Sequence, residues 1–244
     1  MSATPLPDPA VTEPTADVVG RDDDAAWAVL DRPFAGVLLD MDGTLISSVD
    51  SVIRSWTTMA REYGIPAVAF DDLHGIPARG IVDRLLPGMS DAEREVAFAR
   101  VLELELADLE GIAVLPGAME ALSLLAPRGR CAVVTSATRG LAEARLAAAG
   151  LPVPAAVVAA DDVTHGKPHP EPFLMGAERL GVDPTHCLVV EDASAGIRAA
   201  RAAGAVAVGL TTTTPGIDAD VVVADLAALR FWVDDDDAVR VGPA

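Results

Sequence analysis

The sequence predicts an α/β protein: a doubly wound parallel sheet with an all-helical insertion after its first strand. Three observations predict it. Short apolar runs at 131–135, 155–159, 187–190, 205–209 and 221–223 alternate with helix-periodic stretches at 117–126, 139–149, 170–180 and 194–203. Three of those helical stretches close on Gly150, Gly181 and Gly204, the residue type that accepts the left-handed backbone of a helix C-terminus. An isolated apolar run at 35–40 stands upstream, and between about 48 and 116 helical spacing recurs without a convincing strand. Strands that alternate with helices pair in parallel and are covered on both faces, the arrangement of a Rossmann-like core.

In chain order, residues 1–33 are rich in Pro, Asp, Thr and Ala with little periodicity, which predicts a disordered or loosely attached acidic tail with at most a short helix near 25–30. The core is expected at 34–47 and 116–233, interrupted by a helical cap domain at 48–115. Val49, Val52, Ile53, Trp56, Met59 and Ala60 follow helical spacing, stopped by Gly64 and Pro66. Within the insertion, Ser90-Asp91-Ala92-Glu93 fits a capping box, in which Ser and Glu satisfy each other's backbone N–H groups at a helix start. Residues 234–244 open with Asp234–Asp237 and are expected to be a solvated acidic tail.

The 244 residues are 51% hydrophobic, enough for a sizeable core, and no stretch approaches the roughly 18 apolar residues of a membrane span. The formal net charge of -19, from 18 basic and 37 acidic residues, opposes nonspecific association with nucleic acid or an anionic membrane. An anionic substrate must then be drawn in by a local cation and a local lysine. No basic region followed by an apolar one opens the chain, so cytoplasmic residence is the expectation. Cys131 and Cys187 each open an apolar run and are expected to be buried, reduced thiols.

The chemistry centres on Val37-Leu38-Leu39-Asp40-Met41-Asp42-Gly43-Thr44-Leu45. Residues i and i+2 of an extended chain share a face, so Asp40 and Asp42 reach one crevice at the strand's carboxyl end. Two acids that close repel unless a cation joins them, and a hard, oxygen-seeking ion such as Mg2+ suits them. An EF-hand loop is excluded, because counting from Asp40 puts Thr44, Leu45 and Ser51 where acid, glycine and glutamate belong. Later strand ends are also polar. Thr135-Ser136-Ala137-Thr138 offers hydroxyls and backbone N–H groups before a helix, suited to phosphoryl oxygens. Gly166-Lys167-Pro168-His169-Pro170 frames one ammonium with two prolines and is not a Walker loop, since Pro168 replaces Ser or Thr. Glu191-Asp192 adds two acids for a cation's shell.

These four motifs, in this order and with a helical insertion after the first, resemble the haloacid dehalogenase-like hydrolases over about residues 35–225. The resemblance implies a phosphoric monoester hydrolase in which Asp40 is the nucleophile and Asp42 the general acid/base. It also implies that Ser136, with Thr135, Ala137 and Thr44 nearby, binds the phosphoryl group and that Lys167 balances charge. Mg2+ would be held by Asp40, the Asp42 backbone carbonyl and Asp192, with Glu191 adjacent. Within that family the chain is most similar to phosphatases of sugar and polyol phosphates, making the partner a small phosphorylated metabolite. β-Phosphoglucomutase is the alternative; that group usually carries a cap histidine twelve residues after the nucleophile, where this chain has Val52. A catalytically inactive binding protein is the remaining alternative, opposed by the intact Asp40 and Asp42. Substrate choice is expected in the insertion, at His74, Gly75 and Arg79.

Overall fold

The computed structural model describes residues 24–66 and 78–244. Six parallel strands form the sheet: β1 (Gly36–Leu39), β4 (Cys131–Val134), β5 (Ala156–Val158), β6 (Cys187–Glu191), β7 (Val206–Leu210) and β8 (Val221–Val223), in the order β5-β4-β1-β6-β7-β8. With β1 between β4 and β6, its carboxyl end faces the loops that leave both neighbours. In an open parallel sheet that is where ligands bind. The register is fixed residue by residue, Leu39 pairing with Val133 on one side and Val190 on the other.

Both faces of the sheet are covered, which is why its strands read as continuous apolar runs. Along β1 the side chains alternate. Val37 and Leu39 join a core with Leu122 and Leu146, from helices α5 (Ala118–Leu125) and α6 (Arg139–Ala149). Leu38 points the other way, to Phe173 and Ile197 of helices α7 (Glu171–Leu180) and α8 (Ser194–Ala202). Cys131 and Cys187 are buried free thiols, and burial pushes each up to about 12.

The insertion contains α2 (Val49–Glu62), α3 (Ala78–Leu85) and α4 (Asp91–Ala107), which pack around their own core of Trp56, Met59, Ile81, Val82, Leu86, Ala97 and Val101. The capping box opens α4: the Ser90 N–H donates to Glu93 at 2.8 Å and the Glu93 N–H to Ser90 Oγ at 3.4 Å. Entry and return of the chain are paired, because β2 (Ile46–Ser47) lies antiparallel to β3 (Ala113–Val114). The return strand is too short to leave a periodic signal, so the stretch read as strandless does contain one.

Both ends of the chain depart from expectation. The short helix expected near 25–30 is present, as α1 (Asp24–Trp27) followed by a 3-10 turn at Ala28–Leu30, but Leu30 is buried against the sheet core where a loose tail was expected. The expected solvated tail at 234–244 is instead the turn and second strand of a hairpin, β9 (Leu229–Val233) with β10 (Val239–Pro243). Val239 is fully buried and its backbone pairs with Phe34 just ahead of β1. The acidic run is a turn: Asp234 accepts from the N–H groups of Asp236 and Ala238, and Arg240 pairs with it at 2.7 Å. Among the described residues no helix is long and apolar enough to cross a membrane.

Candidate active site

At the end of β1 the Asp40 N–H still donates to Val190 O at 3.0 Å, so the carboxylate is aimed by the sheet itself. Lys167, from the loop between β5 and α7, comes to it from the neighbouring side. Its Nζ lies 2.5 Å from Asp40 Oδ1, 2.8 Å from Glu191 Oε1 and 2.9 Å from Val134 O, over the Phe173 ring at 4.9 Å from its centroid. All three ammonium protons thus have acceptors. The second oxygen of Glu191 accepts from the Ala193 N–H at 2.6 Å. Glu191 is seated in the space that Gly196 leaves on α8, where a Cβ would stand 1.7 Å from Oε1.

Asp192 is held by hydroxyls. Thr44 donates to Oδ1 at 3.2 Å and Thr213 donates to Oδ2. Gly43, at φ 87°, passes so close that a Cβ there would lie 2.1 Å from Asp192 Oδ2. The left-handed turn and the missing side chain together let the loop after Asp42 lie against Asp192.

One carboxylate oxygen from each of Asp40, Glu191 and Asp192 lies within 4.8 Å of the other two, and the three residues are buried. Burial pushes Asp40 well above the usual carboxylate range, against the pull of Lys167, while Glu191 and Asp192 push the same way. Burial, then the Glu191 charge, raises Asp192 to about 7. Burial alone would lower Lys167, but Asp40 and Glu191 outweigh it and hold the ammonium above its ordinary range. Three acids around one lysine are short of positive charge, and an all-oxygen donor set suits a hard divalent cation. Both oxygens of Glu191 and both of Asp192 already accept hydrogen bonds, and Asp40 accepts at Oδ1 from Lys167; the threonine hydroxyls on Asp192 are neutral donors, whereas Glu191 is tied to the lysine ammonium.

The Asp42 carboxylate is not part of that cluster. Its Oδ1 accepts from Ser48 Oγ at 2.6 Å and from Arg145 Nη1 at 3.1 Å. Arg145 comes from α6 and is buried, with Glu105 of α4 3.8 Å from its Nη2. Burial holds the Glu105 carboxyl above its usual range, against the pull of Arg145 and Trp56.

A cavity of about 440 Å3 connects these groups. Asp40, Asp42, Ser136, Arg145, Glu191 and Asp192 border it from the core, and Val52, Arg79, Phe98 and Glu105 from the insertion. Thr135 and Ala137 also line it, but the Ala137 N–H is already donated to Thr135 Oγ1 at 3.0 Å, and Thr44, expected at the substrate, is fully buried against Asp192. Arg79 reaches the cavity wall with its guanidinium engaged by Glu95 at 2.5 and 2.9 Å and stacked on Phe98. His74 and Gly75 lie outside the described residues. Ser48, Glu105, Arg145 and Thr213 were missed by sequence reasoning. Ser48 had a signal, a hydroxyl residue opening a helix directly after the acidic motif; the others sit within helices or a Thr-rich loop and had none.

A buried carboxylate cluster with a lysine thus lies at the switch point of a parallel sheet, roofed by a helical insertion. A family model described as haloacid dehalogenase-like hydrolase matches residues 34–204, and the chain belongs to that family. It is 40% identical over 196 residues to hexitol phosphatase A of Escherichia coli (strain K12), covering 78% of this chain and 91% of that protein. It is 36% identical over 177 residues to fructose-1-phosphate phosphatase YqaB of the same organism, covering 70% and 93%. Among solved structures, a β-phosphoglucomutase from Clostridium difficile superposes with a TM-score of 0.72 at 25% identity, covering 80% of this chain and 92% of that one.

Proposed function

We propose that this protein is a Mg2+-dependent phosphatase that hydrolyses small phosphate monoesters, sugar or polyol phosphates, through an aspartyl-phosphate on Asp40. The observation that carries this reading is the contact of 2.5 Å between Lys167 Nζ and Asp40 Oδ1, beside Asp192 at one end of the cavity. The names of the relatives support the substrate class.

Asp40 attacks phosphorus, forming an Asp40–phosphorus bond as the bond to the ester oxygen breaks, and Asp42 gives that oxygen its proton. Asp42 then takes a proton from water as the water oxygen attacks the phosphoenzyme, releasing inorganic phosphate and restoring Asp40. Lys167 neutralises charge on the phosphoryl oxygens, Ser136 supplies a hydroxyl to them, and Thr44 and Thr213 orient Asp192. Mg2+, held by Asp40, Asp192 and the Asp42 backbone carbonyl, supplies further charge neutralisation when bound. Val52 gives the cavity wall an apolar side chain that exchanges no proton, which favours hydrolysis over return of the phosphoryl group to a sugar.

A phosphate-release panel across sugar, polyol and small-acid phosphates tests this. Turnover should need Mg2+ and fall to background in excess EDTA, and Asp40→Asn, which keeps the shape and removes the attacking charge, should abolish it. Undiminished turnover in EDTA, or substantial activity in Asp40→Asn, overturns the reading.

A further inference from the structure

Away from the phosphoryl end, the cavity wall is largely apolar, built from Val49, Val52, Phe98, Leu102 and Leu141. A polyhydroxylated substrate carries hydroxyls that need partners once water is excluded. Beyond the acid cluster and Asp42, four charged side chains interrupt that wall, Arg79 and Glu105 from the insertion and Arg145 and Asp161 from the core; Arg79 and Asp161 are exposed, whereas Glu105 and Arg145 are each 4% exposed.

Their hydrogen bonding is incomplete. Arg145 gives Nη1 to Asp42, but its Nε and Nη2 are buried without a hydrogen-bond partner. The 3.8 Å between Nη2 and Glu105 Oε1 is an ion-pair distance, too long for a hydrogen bond. Glu105 is fixed from behind by Trp56, whose Nε1 donates to the same oxygen at 3.0 Å. Buried guanidinium N–H groups are normally satisfied, and here Arg145, which carries the unpaired N–H groups, and Glu105 line the same cavity.

We infer that Glu105 and Arg145 form a hydroxyl-binding subsite, at which one substrate hydroxyl accepts from the Arg145 guanidinium and donates to Glu105. A hydroxyl is the small group that is donor and acceptor at once, and so the one that fits between a fixed cation and a fixed anion. The pair spans the seam between insertion and core, and Arg145 also touches Asp42. The hydroxyl it reads therefore lies near the ester oxygen, and the pair selects polyol and sugar phosphates against plain alkyl phosphates. This rests on the phosphatase reading.

Kinetics with sorbitol 6-phosphate, glycerol 1-phosphate and the hydroxyl-free n-propyl phosphate test it in wild type, Glu105→Gln and Glu105→Leu. Wild type should favour the better polyol phosphate over n-propyl phosphate at least tenfold in kcat/KM. Glu105→Leu should erase most of that preference, mainly by raising KM for the polyol ester, while n-propyl phosphate stays within about threefold. Glu105→Gln retains the acceptor for Trp56 and the side-chain volume, so it should lower Tm less than Glu105→Leu does and still lose part of the preference. Equal loss on all substrates would show that the pair only ties insertion to core. No polyol preference in wild type, or an undiminished preference in both variants, would also overturn the subsite. Failure of wild type to release phosphate from any of the three would instead refute the phosphatase reading on which it rests.

Discussion

Lys167 Nζ stands 2.5 Å from Asp40 Oδ1 with both side chains buried, so the positive charge next to the proposed nucleophile is fixed rather than drawn from solvent. A fixed charge costs no reorganisation when the phosphoryl group arrives.

Lys167→Met should therefore abolish turnover. It should also destabilise the metal-free protein, because Asp40 and Glu191 lose their shared partner; breaking a buried ion pair costs about 3–5 kcal/mol. Burial already favours the protonated form of Asp40, so the loss should be smaller at pH 5 than at pH 8. Thermal denaturation at the two pH values measures this, and an equal loss at both would contradict it.

The acid cluster sets a second pH dependence. Asp192 is raised to about 7, so it holds its proton more tightly in the folded chain than in the unfolded one. Its contribution to folding is complete below the unfolded value, near 4, and is lost as pH rises through about 7. Mg2+ needs the deprotonated form, so the rise in Tm on adding Mg2+ should widen between pH 5 and pH 8. A shift of the same size at both values would place the ion elsewhere.

Gly196 makes room for the carboxylate that anchors Lys167. Gly196→Ala would put a Cβ 1.7 Å from Glu191 Oε1. Overpacking of this kind costs about 1–3 kcal/mol, and moving Glu191 loosens Lys167 as well, so Tm and kcat should fall together. An unchanged kcat would show that Glu191 does not position the lysine.

With β-glucose 1-phosphate and a trace of glucose 1,6-bisphosphate, the expected product is inorganic phosphate. Rapid formation of glucose 6-phosphate without phosphate release would make the protein a mutase despite Val52.

What could be read from the chain before its structure follows from the range of the interactions involved. The sheet was legible because strands buried on both faces are apolar throughout, as at Cys131–Val134 and Cys187–Glu191, and because glycine marks the helix ends. Asp40, Lys167 and the Glu191-Asp192 pair were legible because each directly follows a strand or sits in a proline-framed loop. The β9–β10 hairpin was not: four consecutive aspartates look like a solvated tail, and the pairing of Val239 with Phe34 spans almost the whole chain. Arg145 and Glu105 were hidden for a related reason. A charged residue within a helix is ordinarily solvent-facing, and only the meeting of α4 with α6 buries these two.

The crossing between core and insertion has a mechanical consequence. Ile46 pairs with Val114 and Ser47 with Ala113, the Leu115 N–H donates to Leu45 O at 3.0 Å, and the Gly43 N–H donates to Ile46 O at 2.7 Å. The two linkers are thus a zipped ribbon rather than a pair of independent strings. Such a ribbon bends across its flat face more easily than it shears, because shear would break the backbone bonds in step. Displacement of the three helices is steered toward one swing about a hinge whose lower leaf begins at Gly43, next to Asp42. Any such swing would pull on the loop that carries Asp42 directly, through backbone.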